Sequence, residues 1–406
     1  MPLINNIYRI QVLFLNTCRS LTYCLILLSL PISSLASALE LTPADRTNSA
    51  DIPAQEHHHN TYRIVVLVNK TENPFWSQVK TSAKKAAHDL NLELQVIAIN
   101  NNPLRPVRVL SALVNSSHKP NAVLFPNIKN TGKAILELLE QHQVYSIVYD
   151  NGFAPKDNIG LPGQFYRYWV GQIDAGNYEA SRQLTQELLN QALTMFPEQR
   201  PLPIIVLEGR TASRANAQRL LGMFDALMTY SKQVEIRQIF RTRYDTRHAR
   251  HAILTAHRRY PGVRVIWAAN DAMALSAAEA VKETGLIPGK DILIAGFDLL
   301  PEAQAKIKTG ELFNSYGGHA LSAAWGLVYL HDILHDSSHK YRRLAIPLQS
   351  GRHPFKVPQP GPGGTLWVKP DADFSNIDFS ALSLTSDQSQ QSDQKNRYLF
   401  EQRHMP

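Results

Sequence analysis

Asn270, Asp271 and Asp298 stand directly after two short apolar runs, Val263–Ala269 and Ile292–Ala295. An Ala-rich helical pattern over 272–284 links the runs and stops at Gly285, and Pro288-Gly289 turns the chain into the second run. Two buried strands joined by a helix lie parallel in one sheet. Polar groups just past the C-terminal ends of such strands face the edge where open α/β sheets bind ligands. One of Asn270 and Asp271 serves as a helix cap, a role both residue types fill well, which leaves the other free. Gly296, two residues before Asp298, implies close backbone approach to something at that strand end.

The same arrangement recurs at other strand ends. The run Ile64–Val68 leads into Asn69-Lys70-Thr71-Glu72-Asn73-Pro74-Phe75-Trp76. Here Asn73 and Pro74 read as the cap and first residue of a helix, with one of Phe75 and Trp76 packing inward and the other facing the strand edge. Tyr145–Tyr149 leads into Asp150-Asn151, and Pro203–Leu207 leads into Glu208-Gly209-Arg210-Thr211-Ala212-Ser213-Arg214. An arginine offers five fixed donors, enough for several hydroxyl or carboxylate oxygens at once. Arg214 is the binding candidate, and Arg210 reads as a surface salt-bridge residue.

No catalytic set assembles around these residues. Gly285 to Asp291 is one residue short of a P-loop and lacks the Ser/Thr that would hold Mg²⁺. The chain has no G-x-S-x-G or H-E-x-x-H. His248 and His251 share a helical face, but His257 is too far along to complete a metal triad, and His57-His58-His59 has no spaced partner for a closed site. The reading is therefore a binding protein without enzyme activity, cofactor or metal.

The elements that position these residues alternate regularly. Apolar runs at Ile64–Val68, Leu94–Ile99, Ala122–Phe125 and Tyr145–Tyr149 are separated by helical patterns near 75–90, 104–116 and 131–142. After a Gly- and aromatic-rich loop over 151–168 the pattern restarts, with strands at Pro203–Leu207, Val234–Phe240, Val263–Ala269 and Asp291–Ala295. Near-continuous apolar strands alternating with helices form parallel sheets covered on both faces. The expected fold is α/β, two doubly wound parallel-sheet lobes with a ligand cleft between them.

The segment ANDAMALSAAEAVKETGLIPGKDILIAGFD, 269–298, resembles the signature region of the type I periplasmic binding proteins, the family of ribose- and galactose-binding proteins. The resemblance spans roughly residues 61–350. It implies three crossings between lobes, near Gly171–Asp174, Tyr316–Gly318 and Tyr341–Ile346, acting as a hinge. The implied organisation is an N-terminal lobe of 61–172 plus 317–342 and a C-terminal lobe of 173–316 plus 343–370. By resemblance the ligand-binding set is Asn73, Phe75, Trp76, Asp150, Arg214, Asn270 and Asp298. The aromatics lie on a sugar's C–H face, Asp150 accepts from hydroxyls and Arg214 fans over ring oxygens. Gln172 and Asp174 resemble the family's hinge element. Sugar binders often carry Gln at a crossing where this chain has Tyr316-Gly317-Gly318, which departs from the usual monosaccharide pattern. The implied function is capture of a small polar, sugar-like ligand by a monomer that delivers it to an inner-membrane ABC permease. The alternative is a co-receptor reporting a furanose-type signal to a membrane sensor kinase or chemoreceptor.

The chain ends and composition agree with export. Arg9 and Arg19 precede a short apolar run, Leu21–Leu30, and Ala36-Ser37-Ala38 reads as a cleavage site, so 1–38 is expected to be a signal peptide directing the chain to the periplasm. Cys18 and Cys24, the only cysteines, fall within it, which excludes disulfides and Cys metal sites from the rest. No helix-turn-helix precedes the first strand, which argues against the repressors that share this fold. The formal net charge of +8 falls to +6 without Arg9 and Arg19 and is dispersed, a poor match to nucleic acid. Residues 39–60 read as a linker, Pro354–Gly364 as a Pro- and Gly-rich stretch, and 371–406 as a polar tail without a packed core.

Overall fold

The computed structural model describes residues 61–335, 342–346, 348–352 and 377–383. The expected signal peptide, the histidine run and most of the polar tail lie outside them.

The first sheet is built from β1 (Arg63–Val68), β2 (Glu93–Ala98), β3 (Ala122–Phe125), β4 (Tyr145–Asp150), β5 (Trp169–Ala175) and β11 (Arg342–Ile346), in the order β11-β5-β4-β3-β1-β2. Every pairing in it is parallel. The second sheet comprises β6 (Leu202–Glu208), β7 (Val234–Arg241), β8 (Val265–Ala268), β9 (Leu293–Asp298), β10 (Asn314–Gly317) and β12 (Gln349–Ser350), in the order β12-β10-β9-β8-β6-β7. Only the two-residue edge strand β12 is antiparallel. This is the expected α/β architecture of two parallel-sheet lobes. The central strands β3, β4, β6 and β8 are buried along their whole length, as sheets covered on both faces require.

Helices α1 (Pro74–Asp89), α2 (Arg105–Val114) and α3 (Gly132–Gln141) belong to the first lobe. The second lobe holds α4 (Asn177–Met195), α5 (Arg214–Thr229), α6 (Thr246–Arg259), α7 (Asp271–Glu283) and α8 (Pro301–Lys308). The last helix, α9 (Ser322–His335), follows β10 of the second sheet but packs on α1 and on β3, β4 and β5 of the first. The chain therefore passes between lobes after Ala175, around Gly318 (φ 105°) and between Ile346 and Gln349. β5 stays in the first sheet through Ala175 and β11 pairs with it over 342–346, so the breaks expected at 172 and 342 fall inside strands of that sheet.

One part of the polar tail is packed rather than loose. Phe379 is fully buried, edge-on to Trp325 at 6.2 Å, and its N–H donates to Asp89 Oδ2 at 3.1 Å. Lys85 Nζ donates to the Ile377 carbonyl at 3.0 Å, and Ser383 Oγ donates to Asp332 Oδ1 at 2.5 Å. Phe379, with Ile377 and Leu382 packed beside it and these hydrogen bonds, seats the segment over α1 and α9.

Candidate functional site

The C-terminal strand ends of both sheets border one cleft with a volume of about 1030 Å³. Its floor is a buried polar cluster of Asp150, Arg219, Asp298 and His319. Asp150 and Asp298 end β4 and β9 with φ of 61° and 115°, left-handed backbone that non-glycine residues adopt at a cost. Strain of this kind concentrates at ligand-binding strand ends.

Arg219 organises the floor. Its Nε donates to Asn177 Oδ1 at 2.7 Å, Nη1 to the Ala269 carbonyl at 2.6 Å, and Nη2 contacts His319 Nε2 at 3.1 Å. Nη1 also lies 3.5 Å from Asp298 Oδ1, and the guanidinium stacks over Phe297 at 4.7 Å. His319 Nε2 also lies 3.4 Å from Asp298 Oδ1, so it faces both a guanidinium that only donates and a carboxylate that accepts. His319 Nδ1 is buried and has no hydrogen-bond partner among the described residues. The floor thus carries an unpaired ring nitrogen in a cluster that holds two carboxylates. Burial pushes the Asp150 carboxyl up from its ordinary value, with His319 and Arg219 opposing the rise and Asp298 adding to it.

Six of the seven candidates line the cleft: Asn73, Phe75, Trp76, Asp150, Asn270 and Asp298. Asn73 caps α1 by accepting from the Trp76 N–H at 3.3 Å. Phe75 and Trp76 are both almost fully buried, so neither stands free in the cleft as expected for one of them. Phe75 lies 4.7 Å from the His319 ring, and Trp76 meets Tyr149 edge-on at 6.5 Å. Asn270 is the helix cap, accepting from the Met273 N–H at 3.1 Å while it also reaches the cleft.

Asp271 is the fully buried member of that pair. It accepts from Ser315 Oγ at 2.6 Å and from the Leu300 N–H at 2.9 Å, tying β10 and the start of α8 to α7. Burial first, and then the Asp298 charge, hold its carboxyl well above the ordinary range. The close approach expected at Gly296 is to this residue, because a Cβ there would come within 2.5 Å of Asp271 Oδ1.

Arg214 is engaged elsewhere in this structure. It is the first residue of α5 and its Nη1 binds Asp174 Oδ1 at 2.8 Å, away from the cleft lining. Five residues separate it from Arg219, which turns the two side chains to different faces of the helix. Arg219 falls on the buried stripe with Ala215, Gly222, Met223 and Ala226. A cation among the mostly small and apolar buried residues, which also include Asn216, was the available signal. Arg214 and Asp174, together with the Ala215 N–H donating to Asn151 Oδ1 at 3.1 Å, join α5 to the strand-end segments of the first lobe. Arg210, expected at the surface in a salt bridge, lines the cleft and has no carboxylate partner among the described residues. Tyr316 points away, its hydroxyl donating to Glu187 Oε1 at 2.7 Å.

Comparison with known proteins follows the same lines. The ribose import binding protein of Salmonella typhimurium is 25% identical over 284 residues, 69% of this chain and 84% of its own length. The D-allose-binding periplasmic protein of Escherichia coli is 28% identical over 263 residues, 61% of this chain and 76% of its own. Among solved structures, a periplasmic sugar-binding protein from Pseudomonas fluorescens superposes with a TM-score of 0.69 at 23% identity, covering 83% of this chain and 97% of that one. A Caulobacter myo-inositol binding protein bound to myo-inositol gives 0.60 at 20% identity, with coverage of 72% and 94%. A sequence profile described as a periplasmic binding protein domain matches residues 64–332, about two thirds of the chain. The protein belongs to the periplasmic binding protein family.

Proposed function

We propose that this protein captures a small sugar-like ligand between its two lobes in the periplasm and delivers it to an inner-membrane ABC permease. The relatives whose names specify ribose import and D-allose binding support this reading, as does the chemistry of the floor. Sugars present hydroxyls that both donate and accept, together with apolar C–H faces. The cleft offers carboxylates on Asp150 and Asp298, a carboxamide on Asn270, and the edges of the almost fully buried Phe75 and Trp76. The observation that carries the reading is the buried His319 Nδ1 with no hydrogen-bond partner among the described residues, because a buried polar atom left unpaired is costly and a sugar hydroxyl, which both donates and accepts, would satisfy it. Three short crossings, one at Gly318, let the lobes close as a hinge.

A thermal-shift panel of pentoses, hexoses, inositols and their acids tests the proposal. A true ligand at a hundred times its Kd adds about 2.7 kcal/mol of stability and compacts the protein in small-angle scattering. His319→Ala should weaken that ligand roughly tenfold, the worth of one good hydrogen bond, while the variant stays folded. A panel without any stabilising carbohydrate, or a ligand that binds the variant at full affinity, would overturn the assignment.

A further inference from the structure

The mouth of the cleft has a charge pattern that the floor does not explain. Lys70 follows β1, Lys129 follows β3, Arg210 follows β6 and Arg243 follows β7, so each lobe contributes two cations from its strand ends. All four are exposed, and none is paired with a carboxylate among the described residues. Lys129 Nζ donates only to the Asn101 carbonyl, at 2.5 Å. The acids on the same lining are mostly engaged. Asp298 faces Arg219, Glu279 binds Lys282 at 2.9 Å, Asp245 caps α6 and faces Arg247 at 3.6 Å, and Asp150 accepts from Asn151. Glu72, Glu302 and the buried floor residue Asp150 have no cation partner among the described residues, so four unpaired cations face three such acids.

The two arginines are held by a built loop pair. Arg243 and Tyr244 both have left-handed backbone, φ 58° and 60°, in succession. The N–H groups of Thr242 and Arg243 donate to the Glu208 carbonyl at 3.1 and 3.2 Å, and Thr242 Oγ1 donates to it at 2.7 Å. The Tyr244 ring lies against Gly209, where a Cβ would come within 2.2 Å of Cζ. The loop after β7 is thereby locked onto the loop after β6, with strained backbone of the kind that collects at ligand clamps.

Closing the lobes brings the first-lobe lysines toward the second-lobe arginines. Like charges approaching one another oppose closure unless an anion lies between them. A neutral sugar cannot supply that charge, whereas a carboxylate or phosphate can, and an arginine fork matches either. We propose that the ligand is an anionic carbohydrate, a sugar or polyol bearing a carboxylate or phosphate, bound with its charge at the Arg210–Arg243 mouth and its hydroxyls on the floor. This rests on the reading of the cleft as a carbohydrate site.

The test is isothermal titration of the protein with D-galacturonate, D-gluconate and D-ribose 5-phosphate against D-galactose, D-glucitol and D-ribose, at about 20 and about 300 mM salt. At least one acid should bind at least roughly tenfold tighter than its neutral counterpart, and more weakly at high salt. The carboxylate and phosphate members identify which anion is taken. Arg210→Gln and Arg243→Gln should each weaken the acid roughly tenfold without lowering Tm or weakening any neutral sugar. Neutral sugars binding as tightly as their acids would overturn the proposal and leave the carbohydrate reading standing. Undiminished acid binding by both variants would also overturn it, assigning the cations to a surface for another macromolecule. No binding by any compound would sink both readings.

Discussion

Replacing Arg219 with Met removes the charge while keeping most of the side-chain volume, so its cost measures the polar cluster rather than a cavity. The guanidinium is 4% exposed and serves Asn177 Oδ1, the Ala269 carbonyl and His319 Nε2, with Asp298 at 3.5 Å. Asp298 and His319 border the cleft, where water can enter to replace part of what is lost, whereas Asn177 lies away from the cleft lining. Removing one partner of a buried ion pair costs about 3–5 kcal/mol, and the partial access of water places Arg219→Met near the lower end. That is a large share of the roughly 5–15 kcal/mol that typically holds a domain folded. Urea unfolding followed by circular dichroism at 25 °C and pH 7 reads the loss.

Pairing the change with Asp298→Asn removes the carboxylate left without its counter-charge. The double variant should be more stable than the sum of the singles predicts, by about 1–2 kcal/mol. A loss below about 1 kcal/mol, or strict additivity with Asp298→Asn, would refute the view that Arg219 holds the floor together.

Two further outcomes test other parts of the fold. Phe379→Ala should cost about 3–5 kcal/mol if residues 377–383 unfold with the first lobe; protease cleavage near 377–383 at unchanged global stability would instead show that the segment detaches alone. Glu311 is drawn down to about 2 by hydrogen bonds and charge from Lys282 and Lys306. Its stabilisation is present above the ordinary value of 4.5 and is lost as pH falls toward 2. Both lysines are about a third exposed, so solvent screening limits the effect to about 1 kcal/mol. The Tm gap between wild type and Glu311→Gln should therefore be present at pH 7 and closed near the folded-state pKa; a gap unchanged at that pH would contradict the pairing.

Local pattern carried most of the fold. Runs such as Ala122–Phe125 and Val265–Ala268 are apolar on both faces because both faces are covered, and that is visible one residue at a time. Strand ends followed by Asn, Asp or Pro mark the ligand edge for the same reason: a cap, a turn and a site all begin where the ladder stops. Hence Asn73, Asp150, Asn270 and Asp298 were legible as lining residues before any coordinates. The short strands β10 and β12 were not, since Asn314–Gly317 and Gln349–Ser350 carry too little apolar pattern; β10 pairs with the edge that β9 offers, and β12 with the edge of β10.

Choosing among neighbouring polar residues needed the tertiary structure. Arg210, Arg214 and Arg219 are similar in sequence terms, but the helical turn sends Arg214 to Asp174, Arg219 to the floor and leaves Arg210 at the mouth. Asp271 looks as available as Asn270, yet it is consumed by Ser315 and the Leu300 N–H from strands and helices met later in the chain. His319 carried no sequence signal at all, and its Nδ1 is left unpaired while Arg219, a hundred residues earlier, and Asp298 both face Nε2. Residue types and caps are local properties of the chain. Which donors and acceptors remain unsatisfied is a property of contacts between distant segments, and that is where the binding chemistry of this protein is decided.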